Sequence, residues 1–555
     1  MVTTEKLKSY FLAIKLMLSH PWGSLPITSA KWNADESILS GNTYWAAEVE
    51  ALAKMIAQHA VTSTGTSTIE GALRFPLIDP AAIELKQDSL REIRGDKNLH
   101  RSLIDLLEQV RDKEGKAGTF LSGDWELLSD PYEGQATLRE LFMALPNLAA
   151  ELPEPATPYL QSLKKALTDV GGTRSHDFAR FPVFRQYFKK GIRAPKELDF
   201  SSVPSVFCPT ALKLIPGSIG GATAGYIGWL LMNNGNLNET TASGALVFAG
   251  LVGLIGSYIG NHWGLRRDRR RFLRPLREHF TTAPEALRAY DALGHLDELV
   301  AYEGFSHTLK QVVLPLVHDA EQHTFVARRL INATQSKKIE DYVPNDVAIG
   351  VDHRITVLTG PNSGGKTSLA KSIVHAQILA QSGCYVPADM AEISIADRIF
   401  YQVGRNDSLQ DEEGGLGTQL KETKGTFEAS TRRTLVAIDD LIEGTTFEEK
   451  TEQTTDMLCA FLHKGTNLVY VTHHYELAQW FERQGVGSYI QVEFNDGRPT
   501  YKIMPGISTN SHADAVARRV GFSPEDMLAH LQEQGYIKNG QVLRDIRRHA
   551  RAKTS

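Results

Sequence analysis

The chain has 555 residues, of which 42% are hydrophobic and 23% are charged, and its formal net charge is −5. This length exceeds what one hydrophobic core can hold, and the composition is ordinary for a globular protein. The net charge excludes an overall basic signature for nucleic acid, although a local basic patch stays possible, and the three separated cysteines exclude a disulfide framework.

The first part of the chain is predicted to be helical. Residues 1–70 form an N-terminal helical segment, and residues 71–205 form the first half of a helical core. Within this core, apolar residues recur at helical spacing over 101–111, and a proline cluster at 153–158 marks a break.

Residues 206–265 interrupt this pattern. The stretches 214–238 and 240–265 carry no charged side chain, and each is about long enough to cross ~30 Å of hydrocarbon as a helix. We therefore predict a transmembrane hairpin with helices over 214–232 and 243–261.

The flanks of this hairpin are basic, with Lys213 before it and five arginines within 266–271 after it. The positive-inside rule then places both flanks in the cytoplasm and predicts a multi-pass membrane protein with two helices. Glycines at four-residue spacing, Gly217, Gly221 and Gly225, allow the two helices to approach closely. The alternative is a glycine-rich helical hairpin buried in a soluble core.

The remaining chain changes character twice. Residues 266–335 return to helical spacing and complete the core, whereas 336–515 alternate short apolar strands with helices, which indicates a mostly parallel sheet. Residues 516–555 are predicted to be C-terminal helices. The predicted fold class is multidomain: an α-helical core with a transmembrane hairpin, followed by an α/β domain and terminal helices.

A glycine-rich motif lies at the start of the α/β domain. The stretch Gly360-Pro-Asn-Ser-Gly-Gly-Lys-Thr367 fits G-x-x-x-x-G-K-[ST] and follows the apolar run 355–358. A strand that ends in such a turn and opens a helix forms a cradle for phosphates, in which Lys366 reaches the β- and γ-phosphates and Thr367 ligates Mg²⁺. The residues predicted to bind nucleotide here are Gly360, Pro361, Asn362, Ser363, Gly364, Gly365, Lys366, Thr367 and Ser368.

Two later strands also end in polar side chains. Asp439 and Asp440 follow the run 435–438, where Asp439 suits Mg²⁺ binding and Asp440 suits a general base that orients water. His473 follows the run 468–472 and is placed to sense the γ-phosphate. The alternatives are a helix cap for the acidic pair and a surface position for the histidine. The predicted catalytic residues are Asp440, His473 and Lys366.

Four motifs, in this order, resemble those of the MutS family of mismatch-repair ATPases. Residues 359–367 resemble T-G-P-N-x-G-G-K-[ST], and residues 383–407 are similar to G-x-x-V-P-A…D-x-I-F-x-x-x-G-x-x-D. Residues 439–446 resemble D-E-x-x-x-G-T-[ST], and residues 472–477 resemble T-H-x-x-E-L. The chain is identified as a member of this family over 339–520.

The resemblance implies a P-loop ATPase domain that uses ATP and Mg²⁺, and the positive-inside rule places this domain in the cytoplasm. It further implies that Tyr342 and Asn345 contact the adenine, that C-terminal helices form a homodimer, and that the helical core acts as levers on DNA. The leading hypothesis is a membrane-anchored, dimeric ATPase in DNA repair. The alternatives are a nucleotide-gated membrane scaffold without a DNA role and a membrane transporter with a related ATPase.

Three departures from the family pattern bear on this function. Residues 1–70 are too short for the family's mismatch-reading domain and contain no Phe-x-Glu wedge, so mismatch recognition is not expected. Asp440 replaces the family's glutamate, and a shift of about one bond length can cost about 10²-fold in rate. Gly414 stands where the loop that faces a partner subunit usually carries serine. We therefore expect slow hydrolysis.

Overall fold

The described part of the chain mixes helices with two β-sheets. The computed structural model describes residues 38–122, 131–180, 273–336, 342–360, 364–404, 414–439, 447–495, 498–508 and 520–535, together with short stretches between 219 and 266. Four predicted site residues lie outside these residues, namely Pro361, Asn362, Ser363 and Asp440. So do 1–37 of the predicted N-terminal segment, 181–205 of the predicted core, most of 206–265, and the predicted C-terminal helices at 516–519 and beyond 535.

The helices, in chain order, are α1 Gly41–Ala46, α2 Val49–Ala57, α3 Ser63–Arg74, α4 Pro80–Gly95, α5 Lys97–Ser122, α6 Pro131–Glu151, α7 Pro158–Thr168, α8 Arg174–Arg180, α9 Arg274–Thr282, α10 Pro284–Ser306, α11 Ala333–Ser336, α12 Lys366–Gln381, α13 Gly414–Ala429, α14 Phe447–Lys464, α15 Tyr475–Arg483 and α16 Pro524–Glu533. The strands are β1 Leu316–His318, β2 Phe325–Leu330, β3 Asn345–Ile349, β4 Ile355–Thr359, β5 Met390–Ser394, β6 Ile399–Val403, β7 Leu435–Asp439, β8 Asn467–Thr472, β9 Ser488–Asn495 and β10 Arg498–Pro505.

The chain divides into two compact units. The first comprises Met1–Trp32, Ala60–Thr68 and Ser89–Ala301, and its described part is helical. Helix α7 shows why these segments are helical: a proline occupies its first turn, and its buried residues Tyr159, Leu160, Leu163 and Leu167 recur on one face. Burial of this apolar face stabilises the helix against its neighbours.

The first unit also contains a buried carboxylate that caps a helix. Asp297 is fully buried in α10 and accepts backbone N–H bonds from Val61, at 2.8 Å, and Thr62, at 2.7 Å, just before α3 begins. Burial raises the pKa of Asp297, while its hydrogen bonds to Thr62 and Val61 lower it. The Asp297 carboxylate thus accepts hydrogen bonds from backbone N–H groups at the start of α3 that have no partner within the helix.

The second unit comprises Asn33–His59, Ile69–Asp88 and Tyr302–Ser555 and contains both sheets. The smaller sheet has the order β1-β5-β2-β3, and the larger one has the order β10-β9-β4-β8-β7-β6. In the larger sheet β9, β4, β8, β7 and β6 are parallel, and β10 pairs antiparallel with β9 at one edge.

The central strands of the larger sheet are mostly apolar and are buried along their whole length because both faces are covered. Every residue of β4, β7 and β8 is buried, as is typical of strands in a parallel sheet between helices. The core on one face includes Phe461 of α14 and Phe481 of α15. Parallel strands bring their carboxyl ends to one edge, so β4, β8 and β7 end side by side there.

The predicted transmembrane hairpin is wrong. Among the described residues, no helix combines the length and the apolar character that crossing a bilayer requires. This finding overturns the predicted helices over 214–232 and 243–261 and, with them, the predicted multi-pass membrane localisation and membrane partner. The part of the fold class that the structure supports is a mixed α/β protein.

The composition of the first run bears on this error. The first run, 214–232, contains a proline and five glycines, which carry little apolar surface although they also carry no charge. The described residues also show no close helix contact at Gly225, because a Cβ atom placed there would meet none of their atoms within 4 Å.

Candidate nucleotide-binding site

The glycine-rich turn follows the central strand β4, as its motif requires. Gly360 has a φ of 139° and Gly365 a φ of 88°, values that side chains other than glycine rarely adopt. A Cβ atom on Gly360 would also lie 3.3 Å from the side chain of Val492, because strand β9 packs against Gly360. Both glycines are therefore required by the local geometry.

Helix α12 begins directly at the end of this turn. Gly365 is its N-cap, and Lys366 is its first residue. The side chain of Lys366 is only 5% exposed, and its Nζ donates a 2.7 Å hydrogen bond to the carbonyl oxygen of Gly360. Thr367, the next residue, is exposed. The arrangement places an ammonium group and the N-terminus of a helix next to each other, which suits a bound anion.

Asp439 is the last residue of β7 and lies at the same sheet edge. It is 6% exposed, and Oδ2 accepts a 3.3 Å hydrogen bond from the hydroxyl of Tyr401 on β6. Burial and then the negative charge of Asp439 raise the pKa of Tyr401, so its hydroxyl keeps its proton at neutral pH. A carboxylate in this position can hold a divalent cation.

His473 also comes to this edge, because it follows the last residue of β8. In the sheet Thr472 pairs with Thr359 of β4, and Val471 pairs with Asp439 of β7. His473 is exposed, and its ring lies against that of His474 with centroids 4.0 Å apart. The sheet order thus gathers the turn, the carboxylate and the histidine, which lie far apart in sequence.

The two residues predicted to contact adenine behave differently. Tyr342 is half-buried, and its hydroxyl lies 3.0 Å from Oγ of Ser368 in the first turn of α12. Asn345 instead uses its amide for strand β10: Nδ2 donates to the carbonyl of Tyr501 at 2.9 Å, and Oδ1 accepts from the N–H of Ile503 at 2.7 Å. The side-chain amide of Asn345 is therefore hydrogen-bonded to the backbone of β10.

Tyr501 is the residue at this site that the sequence did not reveal. It lies where the register between β9 and β10 shifts, has a φ of 60° and is 50% exposed. Its Cδ1 atom would lie 3.4 Å from a Cβ on Gly365. Bulges re-aim side chains, and this one turns an aromatic ring toward the glycine-rich turn. The available signal was the Asn495-Asp-Gly497 turn, which predicts a hairpin but not the bulge.

Comparison with known proteins identifies this domain. Residues 356–535 match MutS domain V. The chain is 26% identical over 438 residues to the endonuclease MutS2 of Thermus thermophilus, an alignment that covers 76% of this chain and 57% of that protein. It is 25% identical over 542 residues to the DNA mismatch repair protein MutS of a Synechococcus species, covering 89% of this chain and 58% of that protein.

Residues 356–535 belong to the MutS family. A third relative, the DNA mismatch repair protein MutS of Chlorobaculum tepidum, is 34% identical over 192 residues, which is 34% of this chain and 22% of that protein. The family resemblance seen in the motifs is therefore confirmed. This chain spans somewhat less than three fifths of the length of the first two relatives.

Proposed function

We propose that this MutS-family chain binds ATP at the turn between β4 and α12 and hydrolyses it slowly. The observation that carries the proposal is that Lys366 is buried at the first position of α12. It follows Gly360 and Gly365, which both have positive φ. A buried ammonium group needs an anionic or carbonyl partner, and Nζ donates a hydrogen bond to the carbonyl oxygen of Gly360 at the start of the turn. The phosphates of ATP would provide a partner of full negative charge.

Mg²⁺ fits the same site by the chemistry of its donors. The Thr367 hydroxyl and the Asp439 carboxylate are hard oxygen ligands, and both stand at the carboxyl edge of the sheet. When bound, Mg²⁺ offsets the charge on the β- and γ-phosphates. We assign Thr367 and Asp439 to hold it.

The remaining roles follow from position. Asp440, next to Asp439 in the sequence, would orient the attacking water and accept its proton, while His473 would donate a hydrogen bond to the γ-phosphate. Tyr342 and the exposed ring of Tyr501 would contact the adenine, and Asn345 would act indirectly by bracing the bulge that carries Tyr501. The short side chain of Asp440 is the reason to expect slow turnover.

We further propose that the protein works as a homodimer in a process related to DNA repair and that nucleotide state changes the arrangement of its helical segments. The support is the family and the relatives' names, an endonuclease and DNA mismatch repair proteins. A nucleotide switch without a DNA role is the second candidate, favoured by Asp440, which stands where the family pattern has a glutamate.

The ATPase assignment is tested with Lys366→Ala. Removing the ammonium group should lower ATP affinity by about 10- to 100-fold, the range for a lost hydrogen bond to a charged group. Equilibrium binding of a fluorescent ATP analogue measures this, and Lys424→Ala, an exposed lysine of the same unit, is the matched control. Undiminished binding and turnover in Lys366→Ala would refute the site.

The DNA role is tested by binding of duplex and branched DNA at increasing salt, with ATP, with ADP and without nucleotide. Contacts to phosphates weaken steeply as salt rises, so a real interaction shows a steep negative dependence of affinity on salt. The absence of nucleotide-dependent binding at low salt would favour the switch without a DNA role.

A further inference from the structure

Tyr401 is held at both its backbone and its side chain. It lies in β6, the edge strand of the larger sheet, and is 1% exposed. Its hydroxyl donates to Oδ2 of Asp439 at 3.3 Å, and its backbone N–H donates to Oγ1 of Thr43 at 3.1 Å. One residue therefore links the carboxylate at the candidate site to a segment more than 300 positions earlier in the chain.

The earlier segment continues the sheet beyond its edge strand. Leu39 forms a parallel bridge with Ile399, whose N–H donates to the carbonyl of Ile38 at 2.9 Å. Ser40 then caps helix α1: its Oγ accepts from the N–H of Thr43 at 3.2 Å and lies 2.8 Å from the Thr43 hydroxyl. The cap fixes the Thr43 hydroxyl, which is 1% exposed, as the acceptor for Tyr401.

The identity of Tyr401 is not dictated by the motif around it. In the pattern D-x-I-F-x-x-x-G, which begins at Asp397, residue 401 is one of the unspecified positions. A tyrosine there adds a hydroxyl that reaches diagonally across to the neighbouring strand, because Tyr401 pairs with Ala437 and Asp439 lies two residues further along. The contact is therefore a property of this chain.

We propose that Tyr401 is a positioning residue for the cation-binding carboxylate of Asp439, and that residues 38–43 fix Tyr401 in turn. This inference rests on the proposed function. A donor on Oδ2 restricts the rotation of the carboxylate, so less freedom is lost when the carboxylate binds a cation. Groups that orient a metal ligand in this way typically change metal affinity by 10- to 100-fold when removed.

The test is Tyr401→Phe, which removes the hydroxyl and keeps the ring. Binding of a fluorescent ATP analogue is titrated with Mg²⁺ and, separately, measured in EDTA. The Mg²⁺ concentration at half-saturation should rise about tenfold, at the lower end of that range because the hydrogen bond is long. Affinity in EDTA should not change, since Lys366 and the glycine-rich turn are untouched.

The matched control is Tyr385→Phe, which also removes a buried tyrosine hydroxyl bonded to a carboxylate, Glu303 Oε2 at 2.8 Å, in the same unit. This variant should show the wild-type Mg²⁺ dependence. A wild-type Mg²⁺ dependence in Tyr401→Phe would overturn the inference while leaving ATP binding established. If the wild-type chain binds no nucleotide, the proposed function fails and the inference fails with it.

Thr43→Val tests the second half of the proposal and serves if Tyr401→Phe does not fold. It removes the acceptor for the Tyr401 N–H with little change in shape, so the Mg²⁺ requirement should rise in the same direction but less. Because Thr43 acts through Tyr401, the double variant should match Tyr401→Phe alone. Additive effects, or no effect of Thr43→Val, would overturn the role of the 38–43 segment.

Discussion

Two glycine-rich regions of this chain look alike in composition and differ in structure. In the turn after β4, Gly360 and Gly365 have positive φ values, and Gly360 meets the side chain of Val492. In the segment 214–232, Gly225 is helical and a Cβ on it would face open space. Glycine content therefore carries no structural meaning by itself, whereas glycine at a fixed offset between a buried strand and a helix does.

The largest expected effect that would sharpen this comparison is a change in ATP turnover when Asp440, the proposed base, is replaced. Asp440→Glu lengthens the side chain by one carbon and should bring the carboxylate to the attacking water. We expect turnover to increase by up to about 10²-fold, with little change in ATP affinity. Steady-state ATP hydrolysis measures this, with Asp456→Glu, an exposed acid of α14, as the control. Unchanged or lower turnover would remove side-chain length as the reason for slow hydrolysis.

Gly360→Ala tests directly whether the turn after β4 needs glycine at this position. The new side chain would be strained at a φ of 139° and would lie 3.3 Å from Val492. We expect the free energy of unfolding to fall by about 1–3 kcal/mol, together with a loss of nucleotide affinity. Urea unfolding and nucleotide titration check both quantities. If the variant keeps wild-type stability and affinity, the turn does not need glycine at this position.

Tyr501→Ala tests the residue that the bulge directs toward the turn. If its ring stacks on the base, its removal should weaken ATP affinity about tenfold, near the lower end for base–aromatic stacking because the ring is half exposed. Affinity for inorganic triphosphate should stay the same, since that ligand has no base. An equal loss for both ligands would show that Tyr501 shapes the phosphate turn and does not contact the adenine.

The smallest effect is expected at Gly225→Ala. Alanine in a helix with nothing within 4 Å of its Cβ should raise the free energy of unfolding by about 0.5–1 kcal/mol. Thermal unfolding detects a change of this size, and ATP affinity should not move. A loss of stability above about 1 kcal/mol would mean that a neighbour packs against this glycine, as the sequence had suggested.

The parts of the site that could be predicted are those that depend on neighbours in the sequence. The strand before Gly360, the helix that begins at Lys366 and the strand ends at Asp439 and His473 all follow from local patterns, and the structure places them at one sheet edge. Their chemical roles remain predictions.

The positions of Tyr501 and Tyr401 could not be predicted, because they depend on contacts between residues far apart in the sequence. Tyr501 acquires its position from a bulge braced by Asn345, which lies 156 residues away. Tyr401 meets Asp439 only because β6 and β7 pair in one particular register. The hairpin error has a different origin: the absence of charge in 214–232 was taken as apolar character, although glycine contributes neither charge nor much apolar surface.

The parallel bridge between Leu39 and Ile399 has a practical consequence for handling the protein. An uncovered edge strand offers its N–H and C=O groups to any other chain, and such edges promote aggregation. A truncated polypeptide that begins after residue 60 would lose Ile38 and Thr43, the acceptors for the N–H groups of Ile399 and Tyr401. A fragment designed for crystallisation or expression of the α/β unit should therefore retain residues 38–59, on the same chain or as a co-expressed peptide.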